Sequence, residues 1–518
     1  MGAPGLAAAA AGLLRMLLAG AGVAGPQAAF LQPGRSGSGR SLGAAIVPAS
    51  EGQRMPLMAA AGAPAVTAGE PLVLLLASLA AGRRAAARLR PRGRPGAGAR
   101  QRRVPRVQRR FFNFGGPEEV VDPEDPGRVA MCGEYQNMPG QLVTAEESGF
   151  GWATVSRHSA SEQDGFWPGG EAPGAVTQEW RELRLAKATE SGEPPDSGTG
   201  TGQSVVKVSL CGDAEPAQVP YCMALAYAKS LCAVAMSGVH LQGALPLEAV
   251  PFQRALVVGL GGGSIPLWLE HTFPQGKMAV DALEIDPAVI TVATGAMGFP
   301  KSAVRPVDGD AAAAAKDAIA GADGAALRVY AVGGEDFVEA LAAQEPGDYR
   351  YDMVFLDAFD KAGQVPPVLV DPEGPFLKAL PSLLAPKATI ALNLLVGMTG
   401  SGSSGGPKEI EAMVSAINST CCGEGAEVFT VRTPINESSG NQLYGFLKAG
   451  RPEGREEPLK EALRKSAEAV NEGFPADSLG KRLRFDFARR VVFSFREWQP
   501  AAAAPAGSQG GGGFGFFG

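Results

Sequence analysis

Residues 255–287 read ALVVGLGGGSIPLWLEHTFPQGKMAVDALEIDP. An apolar run, Ala255 to Val258, breaks into a glycine cluster at Gly259, Gly261, Gly262 and Gly263. An amphipathic segment follows, and a second apolar run ends in the acid Glu284. Strand, tight turn, helix, strand, acid is the order that builds a nucleotide-type site at the C-terminal edge of a parallel sheet. The glycines let the backbone approach a ligand where a Cβ would clash. The acid, about two dozen residues on, falls at the tip of the neighbouring strand, where it can accept bonds from ribose hydroxyls.

Working outward, further strand patterns fall at 328–332, 353–356, 389–394, 427–432 and 443–448, with helical patterns at 265–271, 289–297, 337–344 and 376–384. Such alternation predicts an α/β fold with a doubly wound, mostly parallel, seven-stranded sheet. The last two strands are joined by a short polar stretch, 433–441, holding Pro434, Asn436 and Gly440. That suits a terminal antiparallel hairpin. Upstream, 221–239 reads as a helix with Met223, Leu225, Ala226, Leu231 and Ala235 on its apolar face. Downstream come a charged helical segment after Gly450, a strand pattern near 490–495, and a low-complexity Gly/Phe tail from Ala501. The expected division is a leader over 1–110, an accessory block over 111–220, the sheet domain over 221–450, an extension over 451–500 and a tail over 501–518. The accessory block has weak periodicity and a Ser/Gly/Pro/Thr spacer at 191–202, and the residues assign it no role.

The chain has 518 residues and a net charge of −6. Residues 1–110 carry 16 Lys and Arg against 2 Asp and Glu, a net of +14, which leaves −20 for the rest. So acidic a body argues against a nucleic-acid partner, which needs a basic face to neutralise phosphates. The six cysteines form no Cys-x-x-Cys pair and the three histidines stand singly, so no metal is expected and the thiols read as reduced and buried. The stretch 6–24 is rich in Ala, Leu and Gly and precedes Phe30; a second apolar patch, 71–81, leads into twelve arginines between Arg83 and Arg110. The tandem resembles the bipartite leaders of complex plastids, which implies plastid delivery; a cytoplasmic location is the alternative. The second patch is short for a membrane span, and no stable membrane association is expected after leader removal.

Two ligand classes fit a glycine turn followed by an acid: dinucleotides and S-adenosylmethionine. The dinucleotide fingerprint needs a third glycine where this chain has Ser264. The hairpin ending and Asp357, which closes the strand MVFLD, favour S-adenosylmethionine. The segments VVGLGGGSIP, ALEIDP, GEDFVEAL and YDMVFLDAFD, then VPP and FLKALPSLLAPKATIALNLL, resemble the spermidine-synthase-like group of class I, Rossmann-like methyltransferases. Within that group they are most similar to the C-terminal domains of elongation factor 1-alpha lysine and N-terminal methyltransferases. The resemblance covers roughly 220–450. It implies S-adenosylmethionine as cofactor and a protein substrate, with a homodimer possible.

Carried over by position, the resemblance puts Gly259, Gly261, Gly262 and Gly263 against the methionine and ribose of the cofactor, and Glu284 on the ribose hydroxyls. Asp286 would orient the following turn, or simply cap the helix beginning at Pro287. Asp357 would face the acceptor as the catalytic acid or base. For the adenine, Gly334 and Asp336 are taken over Asp308 and Asp310, because RVYAV is a better strand than VRPV, whose proline removes a ladder donor. Tyr221, Asn393 and Asn441 are candidates for the acceptor side. His271 reads as a helix C-terminal dipole partner, and Asp360 as a loop acid.

Two departures bear on the reaction. Aminopropyltransferases of the same group place an aspartate inside the glycine turn, where this chain has Gly262, and follow the catalytic acid with a Ser-Asp-Pro type stretch, where it has Ala358 to Lys361. Methyl transfer to a lysine or N-terminal amine is therefore expected over polyamine synthesis, with a binding protein that has lost turnover as a third possibility.

Overall fold

The computed structural model describes residues 140–499 apart from 161–162, 190–191, 308, 323, 345–346, 361–362, 397–406, 435–439, 453, 455–456 and 474–484. The expected leader, Cys132, Asp308, Asn436 and the Gly/Phe tail lie outside the described residues.

From residue 141 to 223 the chain is a five-stranded antiparallel sheet: β1 (Gln141–Ser148), β2 (Gly151–Ser159), β3 (Val176–Ala186), β4 (Thr201–Cys211) and β5 (Ala217–Met223), paired in sequence order. One face, with Ala153, Val155, Leu183, Val206 and Val208, packs on Ala288, Val289, Val292 and Met297. The other sends Trp180, Val205, Val219 and Tyr221 into the main core. Backbone contacts fix the docking, since Gln218 N–H donates to Gly298 O at 2.9 Å and Arg181 Nη1 to Ala296 O at 3.2 Å. Residues 221–223, expected to open a helix, instead finish β5, with Met223 opposite Val206. Cross-strand pairing overrides the helical spacing there, and Pro220 is tolerated because β5 is an edge strand.

Helix α1 (Ala226–Leu241) then leads into the second sheet. Its elements are β6 (Gln253–Val258), α2 (Ser264–Thr272), β7 (Met278–Leu283), α3 (Pro287–Gly295), α4 (Ala311–Ala320), β8 (Leu327–Tyr330), α5 (Gly334–Ala343), β9 (Tyr351–Leu356), α6 (Pro375–Leu383), β10 (Leu384–Val396), α7 (Pro407–Cys421), β11 (Glu427–Pro434) and β12 (Gly440–Leu447). Read from one edge, the order is β8-β7-β6-β9-β10-β12-β11. The first five are parallel, β12 runs antiparallel to β10, and β11 pairs antiparallel with β12. This is the mostly parallel, doubly wound α/β sheet with a terminal hairpin that the sequence predicts. Nearly every residue of β6, β7 and β8 is buried, as strands covered by helices on both faces require. The chain reverses direction across the sheet between β6 and β9, so the crevice beyond their C-terminal ends is the natural ligand site.

The extension packs α8 (Leu459–Gly473) and α9 (Phe487–Val492) beside α1, and adds a short eighth strand, β13 (Arg496–Glu497), to β11. Of the strand expected near 490–495, residues 490–492 are thus the end of α9 and 493–495 the turn that follows it. Asp486 caps the helix, its Oδ1 accepting from Arg489 N–H at 2.9 Å, and Phe487 and Val491 share the buried face at helical spacing.

Candidate active site

Gly259 ends β6 with φ near 98°, and a Cβ there would strike the carbonyl of Asp357. Glycine thus lets the ends of β6 and β9 meet. Gly261, at φ 52°, also lines the crevice. Gly262 and Gly263 do not. A Cβ on Gly262 would come within 2.6 Å of Met297 and 2.8 Å of Ser204 Oγ, and one on Gly263 would enter the Phe299 ring. The side-chain positions of these two glycines are thus closed by neighbouring residues of the turn's surroundings.

Glu284, at the tip of β7, is 9% exposed. Its Oε2 accepts from Leu260 N–H at 3.1 Å, its Oε1 from Asp286 N–H at 3.1 Å, and Gly261 N–H adds a third bond. Burial pushes its carboxyl above the usual range, and the three amides pull it back. A carboxylate offers about four acceptor positions, so one remains for a ligand hydroxyl. Asp286 is the N-cap of α3, its Oδ1 accepting from Ala288 N–H at 3.0 Å, and does not line the cavity. Next to Glu284, Ile285 stays 62% exposed and faces the cavity.

On the third strand the structure separates the candidates. Asp310 caps α4, its Oδ1 accepting from Ala313 N–H at 3.0 Å, and does not line the cavity. The segment between the two candidate positions holds α4. Gly334 does line the cavity, but the acid beside it that does so is Glu335 rather than Asp336. Both acids sit in the first turn of α5.

Asp357 follows β9, its N–H donating to Val258 O at 3.0 Å. Asn393 Nδ2 donates to its Oδ1 at 2.7 Å, Asn441 Nδ2 donates to Asn393 Oδ1 at 2.9 Å, and Tyr227 also hydrogen-bonds the carboxylate. Burial pushes the Asp357 carboxyl up to about 7, with Asn393 and Tyr227 opposing. The phenol of Tyr227 lies far above its ordinary range because of burial and the adjacent carboxylate, so it stays a donor. Tyr221 lies elsewhere, buried with its hydroxyl on Asp164 and its ring edge-on to Phe166. Sequence reasoning thus missed Tyr227, the tyrosine in the first turn of α1. His271 sits in the last turn of α2, Nδ1 2.9 Å from Leu267 O, away from the cavity. Asp360 closes its own loop, accepting from Gln364 N–H at 2.9 Å, and also lines the cavity.

These groups surround a cavity of about 630 Å³. The antiparallel sheet supplies part of its wall, including Phe150, Glu182, Leu183, Leu185 and Gln203. Among the described residues lining it, the charged side chains are Glu182, Glu284, Glu335, Asp357 and Asp360, with no Lys, Arg or His. Glu182 is paired with Arg184 at 2.7 Å, and no cation in the described wall faces the other four acids.

No family model matches the chain. Over 145 residues, 27% of its length, it is 32% identical to the human eEF1A lysine and N-terminal methyltransferase, and over 143 residues it is 32% identical to the mouse protein. Among solved structures, it is similar to human Methyltransferase-like protein 13 in complex with SAH (23% identity, 48% of this chain and 90% of that one, TM-score 0.33). It is also similar to a probable spermidine synthase from Corynebacterium glutamicum (10% identity, 68% of this chain and 93% of that one, TM-score 0.37). The stretch homologous to the eEF1A methyltransferases spans 17% of the length of those relatives.

Proposed function

We propose that this protein is an S-adenosylmethionine-dependent methyltransferase acting on a protein amine, a lysine side chain or an N-terminus. The observation that carries the reading is the shared cavity. Glu284, clasped by the amides of the glycine turn, and the half-buried Asp357 face the same space across the β6–β9 crevice. The residues fit the cofactor. Glu284 keeps an acceptor position for a ribose hydroxyl, Gly259 and Gly261 leave bare backbone for its methionine part, and Gly334, Glu335 and Ile285 border the place for its base. When bound, the cofactor supplies a sulfonium methyl whose carbon–sulfur bond breaks as the acceptor nitrogen's lone pair forms the new bond, the leaving pair staying on sulfur. The chain supplies the rest: an acid-lined wall that attracts a cationic acceptor, apolar side chains that exclude water, and Asp357 to take the ammonium proton.

Aminopropyl transfer fits less well. Its aspartate inside the glycine turn has no room at Gly262, where even a Cβ meets Met297 and Ser204.

Calorimetric titration of the full chain with S-adenosylmethionine tests the proposal. Glu284→Ala is expected to weaken binding by about 10- to 150-fold, the worth of a hydrogen bond to a charged group. An unchanged affinity would remove Glu284 from the site. Binding without transfer of labelled methyl to any protein amine of a lysate would leave a binding protein in place of an enzyme.

A further inference from the structure

The Asp357 carboxylate is bonded by side chains from two elements, Asn393 of β10 and Tyr227 of α1, with Asn441 of β12 bonded to Asn393 behind it, and the arrangement has a polarity. Asn393 is fully buried on β10 and Asn441 is 5% exposed on β12. Asn393 pairs with Leu443 and Leu395 with Asn441, so the two amides are diagonal neighbours on one face of the sheet. A primary amide distinguishes its neighbours, because its oxygen only accepts and its nitrogen only donates. Asn441 Nδ2 gives a hydrogen to Asn393 Oδ1 at 2.9 Å, which leaves Asn393 Nδ2 facing Asp357 Oδ1 at 2.7 Å. Were Asn393 turned over, its oxygen would face a carboxylate oxygen, an arrangement stable only with Asp357 protonated.

Resting on the methyl-transfer reading, we propose that Asn441 and Asn393 are positioning residues that hold Asp357 as an acceptor-only carboxylate, ready for the proton of an incoming ammonium. In that step one N–H bond of the acceptor R–NH3+ breaks and an O–H bond forms at Asp357. The nitrogen keeps the electron pair as R–NH2, and Asp357 later releases the proton to water.

The groups that face Asp357 are Tyr227 and Cys232 from α1 and Asn393 from β10. Glu284 from β7, Glu335 from α5 and Asp360 from its own loop share the cavity. None of them is a cation that could neutralise it, so the donors on its oxygens are what favour the ionised form. With burial holding the carboxyl near 7, losing a donor changes its charge close to neutral pH.

The test uses the full chain with 13C-carboxyl-labelled aspartate. The Asp357 infrared band, isolated by subtracting the spectrum of Asp357→Asn, is titrated against pH in wild type and in Asn441→Asp. The new carboxylate at 441 would turn Asn393 over. The Asp357 midpoint is then expected to rise by at least about one pH unit, and kcat/KM near pH 6 to fall about tenfold. Cofactor affinity, which rests on Glu284 and the glycine turn, should stay unchanged. If Asn441→Asp does not fold by circular dichroism, Asn441→Ala, which only removes the donor, should move the midpoint in the same direction. A midpoint that stays at the wild-type value in a folded variant overturns the proposal. A wild-type protein that transfers methyl to no amine would fail the methyl-transfer reading, while the infrared titration still decides the role of the two amides.

Discussion

Replacing Asp357 with Asn is expected to lower kcat/KM for methyl transfer to an amine by about 10²- to 10⁴-fold and to make the folded protein more stable at alkaline pH. Both effects come from one cause. The half-buried carboxylate is desolvated among side chains that stabilise its charge only in part, so its carboxyl is raised from 3.8 to about 7. An acid in that state is ionised at mildly alkaline pH yet basic enough to accept a proton from an ammonium, which suits a general base. Because its folded value lies above its unfolded one, the native state binds the proton more tightly. Stability therefore falls as pH rises from about 4 to about 7 and then levels off. The full cost at alkaline pH is on the order of 4 kcal/mol. Asparagine carries no such cost and can still accept from Asn393. Urea unfolding at about pH 5 and pH 8.5 reads the effect directly: the variant should gain more over wild type at the higher pH. Equal gains at both would mean that Asp357 is not held in a charge-disfavouring site. In wild type kcat/KM should rise with pH through about 7 and then flatten.

The sheet was legible because its strands are buried on both faces and so read as continuous apolar runs, each ended by glycine or an acid. Asp357 and Glu284 stood out for the same reason, as carboxylates that interrupt apolar runs at strand tips. The five-stranded antiparallel sheet was not legible. Gln178, Arg181, Glu182, Lys207 and Ser209 are all buried in its strands, so the alternation of apolar and polar residues is broken by groups that tertiary contacts cover. Tyr227 was missed because a tyrosine among Ala and Leu at a helix start resembles a core residue. Only the docking of α1 against the end of β9 brings its hydroxyl to Asp357. Gly262, Gly263 and Asp286 sit in the same motif as the cavity-lining residues, and spacing alone does not reveal which members a neighbour already occupies. Met297, Ser204, Phe299 and the amide of Ala288 are those neighbours.

Asp281→Ala is expected to destabilise the fold by about 3–5 kcal/mol, the cost of leaving a buried charge without its partner. Asp281 lies within β7, three residues before Glu284 and about 10 Å from it along the strand, and is 1% exposed. Its Oδ1 accepts from Arg328 Nε at 2.7 Å, and its Oδ2 from the hydroxyls of Tyr351, at 2.9 Å, and Tyr349. Arg328, equally buried on β8, gives its remaining nitrogens to Ala318 O at 3.2 Å and Tyr349 at 3.0 Å. The cluster thus ties together α4, β7, β8 and the start of β9. The ion pair itself need not stabilise much, since desolvating two charges offsets their attraction. What it does impose is a penalty on any arrangement in which only one of them is buried. Asp281→Ala leaves the guanidinium with two neutral acceptors and no counter-charge. The double variant Asp281→Leu with Arg328→Met removes both charges and is expected to recover most of the loss. Urea midpoints at constant slope measure each step. A single-variant loss below about 1 kcal/mol would show that Tyr349 and Ala318 suffice to hold the cation. Cofactor affinity of the folded fraction should change little in either variant, because Glu284 is held by amides of the glycine turn and not by this cluster.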